Sequence, residues 1–385
     1  MIASSNLGMQ SRSGFKLSRF GSLLLFIAFC AFITVPSAAQ SGRVQPTPTP
    51  EDVPIRIVTE EIKLNVLAFD EDGKFFTDVN ERDLVITENN ILHQPTSVRR
   101  LPANVLVMMD TGGELRSAKN LDRTRRVAAA LVKSLRPEDS IAIVQYSDKP
   151  EVVSEWTTDR AETLEAINRT RFGRRSALVK GLEMAKNLLA KSGMDNKHLV
   201  LISDGTDSFV DISSKRRAFR SLLAGDFSVH VLSYTRMELN EIEPRTKGTS
   251  KTPPPRAMPD EVAAGLPNGV RQTAQAPKIG PTLIVDREFL RLMRNRKSDL
   301  EASEEQLLEL TANTNGEMII PLDFDEMIEK TALVARMIDS SYVVTYTPKI
   351  PFDEVAGERD IWVTSKREGL IVDSRRKVVI ERSRR

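Results

Sequence analysis

Hydrophobic and polar positions repeat with two different periods along this chain, and the change of period divides it. IRIVTEEIKLNVLAFD from Ile55 and DLVITEN from Asp83 alternate with period two and are rich in β-branched residues, which predicts strands with one buried face. At Asn104 the pattern changes. NVLVMMD is an unbroken apolar run ending in Asp110, followed by a helical stretch from Leu121 to Leu135 and then by SIAIVQYSD. Buried strand, helix, buried strand is what a parallel sheet covered on both faces requires. The alternation continues through the helices AETLEAINR and SALVKGLEMAKNLLAKS, the strand HLVLISDG, the helix SSKRRAFRSLLAG and the strand FSVHVLSY. LLELTANT, GEMIIPL and DFDEMIEKTALVARMI make the last round. The expectation is an α/β domain over residues 103–338 with a doubly wound, mostly parallel sheet. Period two returns in YVVTYTP, DIWVTSK and RKVVIE within residues 341–382. These strands are expected to pair with those of residues 55–100 in an accessory β-unit closed from both ends of the chain.

One segment interrupts the alternation. Residues 237–286 hold TKGTSKTPPPRAMPDEVAAGLPNG, too polar and too rich in Pro and Gly to bury the apolar area that ordering requires, so a mobile insertion is expected there. DREFLRLMRNRKSDLEASEEQLLELT then predicts a single helix re-entering the domain. Asp70-Glu71-Asp72-Gly73 resembles the opening of a calcium loop, but the closing glutamate is absent. Asp72-Gly73 between two strands reads as a hairpin turn.

The first forty residues have a different character. Arg12, Lys16 and Arg19 precede an apolar run from Leu23 to Val35, which ends in Pro36-Ser37-Ala38-Ala39. That order predicts a signal peptide over residues 1–39, cleaved after Ala39, with Met9 as an alternative start to Met1. The run is shorter than the ~20 residues that span a bilayer, so no stable membrane span is expected after cleavage. Residues 40–54 form a Pro/Thr-rich spacer. Cys30 is the single cysteine of the 385 residues and lies inside the apolar run, so the mature chain would have neither disulfides nor cysteine-ligated zinc. With 55 basic and 53 acidic residues the net charge is only +2, which provides no chain-wide field for nucleic acid.

Open α/β sheets bind ligands beyond the C-terminal ends of their strands. Asp110 and Asp204 both end apolar strands, and two such carboxylates facing one crevice suggest a divalent cation. Here the chain resembles the von Willebrand factor A family, in its secreted bacterial branch with strand extensions at both ends. NVLVMMDTGGE, the spacing to SIAIVQYSD, GRRSALVKGLEMA and LVLISDGTD carry the resemblance. It implies a metal-ion-dependent adhesion site in which Asp-x-Ser-x-Ser, a threonine and a second aspartate hold magnesium or another divalent cation, with one position open for a partner's carboxylate. Asp110 and Asp204 match that pattern, and Ser176 stands for the threonine. Gly112 and Glu114 replace the two serines, so the site is degenerate. Two outcomes are open: a rearranged carboxylate site of Asp110, Glu114, Ser176 and Asp204, or a vestige filled by water.

The signal-peptide pattern predicts export, to the periplasm, the envelope or outside the cell, and the resemblance implies a binding protein that interacts with a protein partner through the strand-end crevice and acts without catalysis. A hydrolase using the strand-end aspartates is the alternative. The three histidines, His93, His198 and His230, show no metal-ligand spacing, and neither a nucleophile elbow nor a phosphate loop occurs. His198 and His230 are expected at strand boundaries. The basic clusters at Arg171 to Arg175, Lys215 to Arg220 and the terminal RSRR could serve anionic envelope polymers; with aromatic residues at 5%, they do not read as a nucleic-acid surface.

Overall fold

The computed structural model describes residues 61–380, apart from 114–117, 248, 251–257, 266, 268–281, 284–286 and 352–356. The expected signal peptide and spacer, Glu114 and much of the 237–286 segment lie outside the described residues. Two bodies of structure alternate along the chain.

The first is the β-unit. Strands β1 (Ile62–Phe69), β2 (Leu84–Glu88), β3 (Ile91–His93) and β4 (Ser97–Arg99) come from the N-terminal side, with a 3-10 turn at Glu81–Asp83 leading into β2. The C-terminal side adds β13 (Ser341–Tyr346), β14 (Gly357–Ser365), β15 (Ile371–Ser374) and β16 (Lys377–Ile380). They form two antiparallel four-stranded sheets, in the orders β15-β1-β13-β4 and β16-β14-β2-β3. The period-two pattern explains this pairing: along β14, Arg359, Ile361 and Val363 point inward while Trp362 is exposed. Leu64, Val66, Tyr342 and Val344 of one sheet share a core with Leu84, Ile86, Ile361 and Val363 of the other. The expected closure of the β-unit by both chain ends is therefore present. Asp70 to Lys74 makes the hairpin turn, with Gly73 at φ +74°.

The second body is the α/β domain. Its six-stranded sheet has the order β12-β9-β8-β5-β6-β7, from β5 (Asn104–Asp110), β6 (Ser140–Tyr146), β7 (Pro150–Thr157), β8 (Lys197–Ser203), β9 (Phe227–Ser233) and β12 (Met318–Ile319). All neighbours are parallel except β7, which runs antiparallel to β6. Helices α1 (Leu121–Ser134), α2 (Arg160–Arg169), α3 (Leu178–Lys191), α4 (Ile212–Leu222) and α5 (Thr235–Thr246) connect the strands. Beyond α5 lie a ribbon of β10 (Thr249–Ser250) and β11 (Thr282–Leu283), the short α6 (Asp260–Ala263), α7 (Arg287–Thr314) and α8 (Phe324–Asp339). Val105, Val107 and Met109 of β5 face one core with Val127, Leu131, Val334 and Ile338. Leu106 and Met108 face the other, with Leu182, Leu189, Phe219 and Leu307. An unbroken apolar run serves two cores at once, and each such buried aliphatic side chain stabilises the fold by roughly 1.5–3 kcal/mol.

The first part of the segment expected to be a mobile insertion is regular structure. Helix α5 covers its first ten residues, burying Met237, Glu238 and Ile242, and the α7 residues Met293 and Leu300 complete a small core with Ile242. The expectation missed it because EIEPR is charged and contains a proline, which masks the few inward positions.

The histidines also depart from expectation. His198 and His230 are not boundary residues; they are buried side by side on β8 and β9. The backbone N–H of Glu317 donates to His230 Nδ1 at 3.2 Å, so the ring's proton sits on Nε2, facing His198 Nδ1 at 3.1 Å. His198 then donates from Nε2 to Asn196 Oδ1 at 2.9 Å, which also accepts from Ser341 Oγ at the start of β13. This chain of neutral donors joins the two bodies.

Candidate functional site at the strand ends

Asp110 is the last residue of β5 and Asp204 the first after β8; the two strands are neighbours, with Met109 paired to Ile202. Ser176 lies in the loop before α3. All three are buried and converge, with Ser176 Oγ donating to Asp110 Oδ1 at 2.9 Å.

A cation of the chain itself stands between the two carboxylates. Lys119 Nζ donates to Asp110 Oδ2 at 2.6 Å and lies 3.1 Å from Asp204 Oδ2, with its side chain only 2% exposed. Arg296 on α7 donates from Nη2 to Asp204 Oδ2 at 2.8 Å. Each of the two aspartates is thus matched by a cation. Such balance is what a water-excluded site needs, because an isolated buried charge is strongly unfavourable.

The remaining acceptor positions are also filled. A carboxylate offers about four lone-pair sites. On Asp110, Oδ1 accepts from the Gly112 N–H (3.0 Å) and Ser176, while Oδ2 accepts from Lys119 and Ser203 Oγ (3.1 Å). On Asp204, Oδ1 accepts from the Thr206 N–H (3.0 Å) and its Oγ1 (2.7 Å), while Oδ2 faces Lys119 and Arg296. Burial raises the Asp110 carboxyl, with Lys119 acting against the rise. At Asp204 burial also acts upward, but Lys119 and Arg296 outweigh it and hold the carboxyl well below the usual range. Burial pulls Lys119 down, and the two aspartates more than restore it, so the ammonium stays charged. The Tyr146 phenol is pushed well up by burial and donates to Ser203 Oγ at 2.6 Å.

Neighbouring elements hold the lysine in place. Glu238 of α5 accepts the backbone N–H groups of Ala118 (3.0 Å) and Lys119 (2.8 Å) on one carboxylate oxygen. The next residue, Asn120, caps α1 by accepting from the Arg123 N–H at 2.8 Å.

The loops above the cluster interlock. A Cβ at Gly112 would lie 1.8 Å from the Arg175 carbonyl oxygen, and one at Gly173 would lie 2.2 Å from Ser147 Cβ. Ser176 and Ser208 exchange backbone and hydroxyl bonds of 2.8 and 3.0 Å. Helix α3 has no side-chain cap of its own. Asp207 from the neighbouring loop supplies one, accepting from the Val179 N–H at 2.8 Å while its other oxygen accepts from Phe209 and Val210.

The resemblance implies a magnesium shell of six oxygens at ~2.0–2.1 Å. The described residues do not fit it. The aspartates are bridged by an ammonium, their lone pairs are engaged, and position 112 has neither a side-chain oxygen nor space for one. Among the described residues no group of three or more His, Cys, Asp or Glu is arranged to hold a metal ion.

The outward side of the site is different in kind. Arg171, Phe172, Arg174 and Arg175 are exposed on the loop before α3, and Phe209 and Val210 are exposed on the loop after β8. The Arg175 guanidinium lies 5.4 Å and the Lys180 ammonium 5.8 Å from the Phe209 ring centre. Phe172 is 59% and Phe209 42% exposed, which is unusual for large aromatic residues.

Sequence reasoning located Asp110, Ser176 and Asp204 but missed Lys119, Arg296 and Glu238. One clue to Lys119 was available: a lysine nine residues after the first aspartate, in a chain whose motif had lost a ligand.

Residues 105–206 match the family model described as von Willebrand factor type A domain. The minor fimbrium subunit Mfa5 of Porphyromonas gingivalis is 28% identical over 119 residues, covering 29% of this chain and 10% of that protein. The chain thus matches only a tenth of that relative's length. Among solved structures, the vWF domain of the type V pili tip protein Mfa5 from Porphyromonas gingivalis is similar with a TM-score of 0.34 and 17% identity, covering 63% of this chain and 96% of that one. A von Willebrand factor type A protein from Catenulispora acidiphila gives a TM-score of 0.37 at 11% identity, covering 84% and 74%.

Proposed function

We propose that this chain, whose residues 105–206 match the von Willebrand factor type A domain model, is an exported, non-enzymatic module that binds a protein partner on the rim of its strand-end crevice. One observation carries the reading: two large aromatic side chains, Phe172 and Phe209, are exposed among arginines on interlocked loops. Aromatic residues and arginine are the types that dominate binding energy at protein interfaces. A rigid platform limits the ordering cost of association.

The charge of the rim narrows the partner's chemistry. Among the described residues, Arg171, Arg174, Arg175 and Lys180 are exposed there, against the exposed carboxylates of Asp148 and Asp211. The excess is positive, so the fitting partner presents carboxylates around an apolar anchor. Asp110, Ser176 and Asp204, which the sequence nominates as the contact, are buried; in this reading they brace the loops from beneath. The absence of catalysis rests on the same burial, since neither aspartate has a free lone pair for a substrate or water. Export rests on the signal-like residues 1–39 and on the likeness to a fimbrium subunit.

The test is a displayed peptide library panned against the full chain in the presence of chelator. The expected binders carry Asp or Glu around an aromatic or aliphatic residue. Their binding falls at least tenfold in Phe209→Ala and in Arg174→Glu, while both variants melt as the wild type does. Binders without an acidic consensus, or indifferent to both variants, overturn the proposal, as does preferential binding of anionic polysaccharide.

A further inference from the structure

We infer that Lys119 is the resident cation of this domain: its ammonium occupies the position between Asp110 and Asp204, so the strand-end site is assembled without a divalent ion. The inference concerns the floor of the crevice and stands apart from the reading of the rim as a docking surface. Either can fail without the other.

Three independent observations support it. The ammonium bridges the aspartates at 2.6 and 3.1 Å, and with Arg296 at 2.8 Å it matches each buried aspartate with a cation. A divalent ion between the aspartates would have to displace this ammonium or add two positive charges beside it in a water-excluded site, where uncompensated charge is strongly disfavoured. Next, the lysine is positioned at both of its ends. Glu238 holds the backbone N–H groups of residues 118 and 119, and Asn120 starts α1 immediately afterwards, so the side chain enters the cluster from a fixed point. Finally, the described loop residues beside Asp110 pack closely. Gly112 packs against the Arg175 carbonyl with no space for a side chain, which shuts the direction from which a serine hydroxyl would have reached an ion.

The consequence is a change in what controls the site. A divalent ion couples loop geometry to ion concentration and offers an open position to an incoming carboxylate. A covalently attached ammonium does neither, because its effective concentration is fixed by the chain. The floor of the crevice is thereby set by the chain itself, whatever the ionic composition of the medium.

The experiment is thermal melting of the full chain in EDTA and then in magnesium, calcium or manganese, for the wild type, Lys119→Met and the double variant Asp110→Asn/Lys119→Met. A specific ion at about 100 times its Kd would raise Tm by roughly 4 °C. The wild type is expected to show no such rise. Lys119→Met, which leaves two carboxylates facing one arginine, is expected to melt lower or fail to fold. The double variant removes one charge of each sign and is expected to recover part of the loss. A cation-dependent rise in the wild type overturns the inference, whether or not the variants fold. So does a Lys119→Met protein as stable as the wild type.

Discussion

Gly112 and Arg175 approach so closely that a Cβ on the glycine would sit 1.8 Å from the arginine's carbonyl oxygen. The glycine therefore does more than omit a ligand, because the neighbouring loop has moved into the space a side chain would need. Gly112→Ser, which restores the residue type of metal-binding relatives, should consequently destabilise the chain by about 1–3 kcal/mol, the usual cost of overpacking against an unyielding neighbour. Urea denaturation measures this directly. A variant as stable as the wild type, or one that gains a response to magnesium, would show that the loop yields.

The asymmetry between what was legible and what was not has a physical basis. Strand-end aspartates announce themselves, because an unbroken apolar run such as NVLVMMD can end on a carboxylate only where the sheet meets solvent or a site. Lys119 and Arg296 give no such sign. Arg296 meets Asp204 across 92 positions of sequence, and the contact depends on the path of α7 after a segment with no regular pattern. Strand β7 escaped for another reason: as an edge strand its residues are mostly half-exposed, so PEVVSEWT shows neither clean alternation nor an apolar run. The histidines looked isolated because 32 residues separate them, whereas parallel pairing of β8 with β9 brings them together.

That histidine pair makes stability depend on pH. Burial lowers His230 to about 4 from its ordinary value of 6.5, and burial together with the nearby His230 and Arg136 lowers His198 well below 6.5. The fold therefore favours neutral rings. Above pH 6.5 this stabilisation is fully present; below it the unfolded chain takes up protons that the folded chain refuses, and stability falls until the folded rings titrate. His230 alone accounts for about 2 kcal/mol lost between pH 7.5 and 5. Urea midpoints across this range should fall with acidification, and His230→Phe should flatten the slope. A midpoint independent of pH between 7.5 and 5 would contradict the arrangement.

In the β-unit, Arg359 is fully buried on β14 and pairs with the buried Glu88 of β2. Arg359 also donates to the backbone carbonyls of Ile350 and Pro351, so it ties the chain after β13 to the sheet. Arg359→Met should cost about 3–5 kcal/mol by leaving Glu88 uncompensated, and Glu88→Gln in the same chain should return part of it. A double-mutant cycle gives the coupling. Purely additive losses would mean that the pair acts through packing alone.

The central claim is that the strand-end aspartates are satisfied by Lys119 and Arg296. A crystal structure of the full chain grown in manganese chloride, with anomalous data collected at the manganese edge, tests it most directly. The account predicts the Lys119 ammonium within hydrogen-bond distance of both Asp110 and Asp204 and no anomalous peak between them. A peak at ~2.1 Å from either carboxylate, with the lysine displaced, would contradict it.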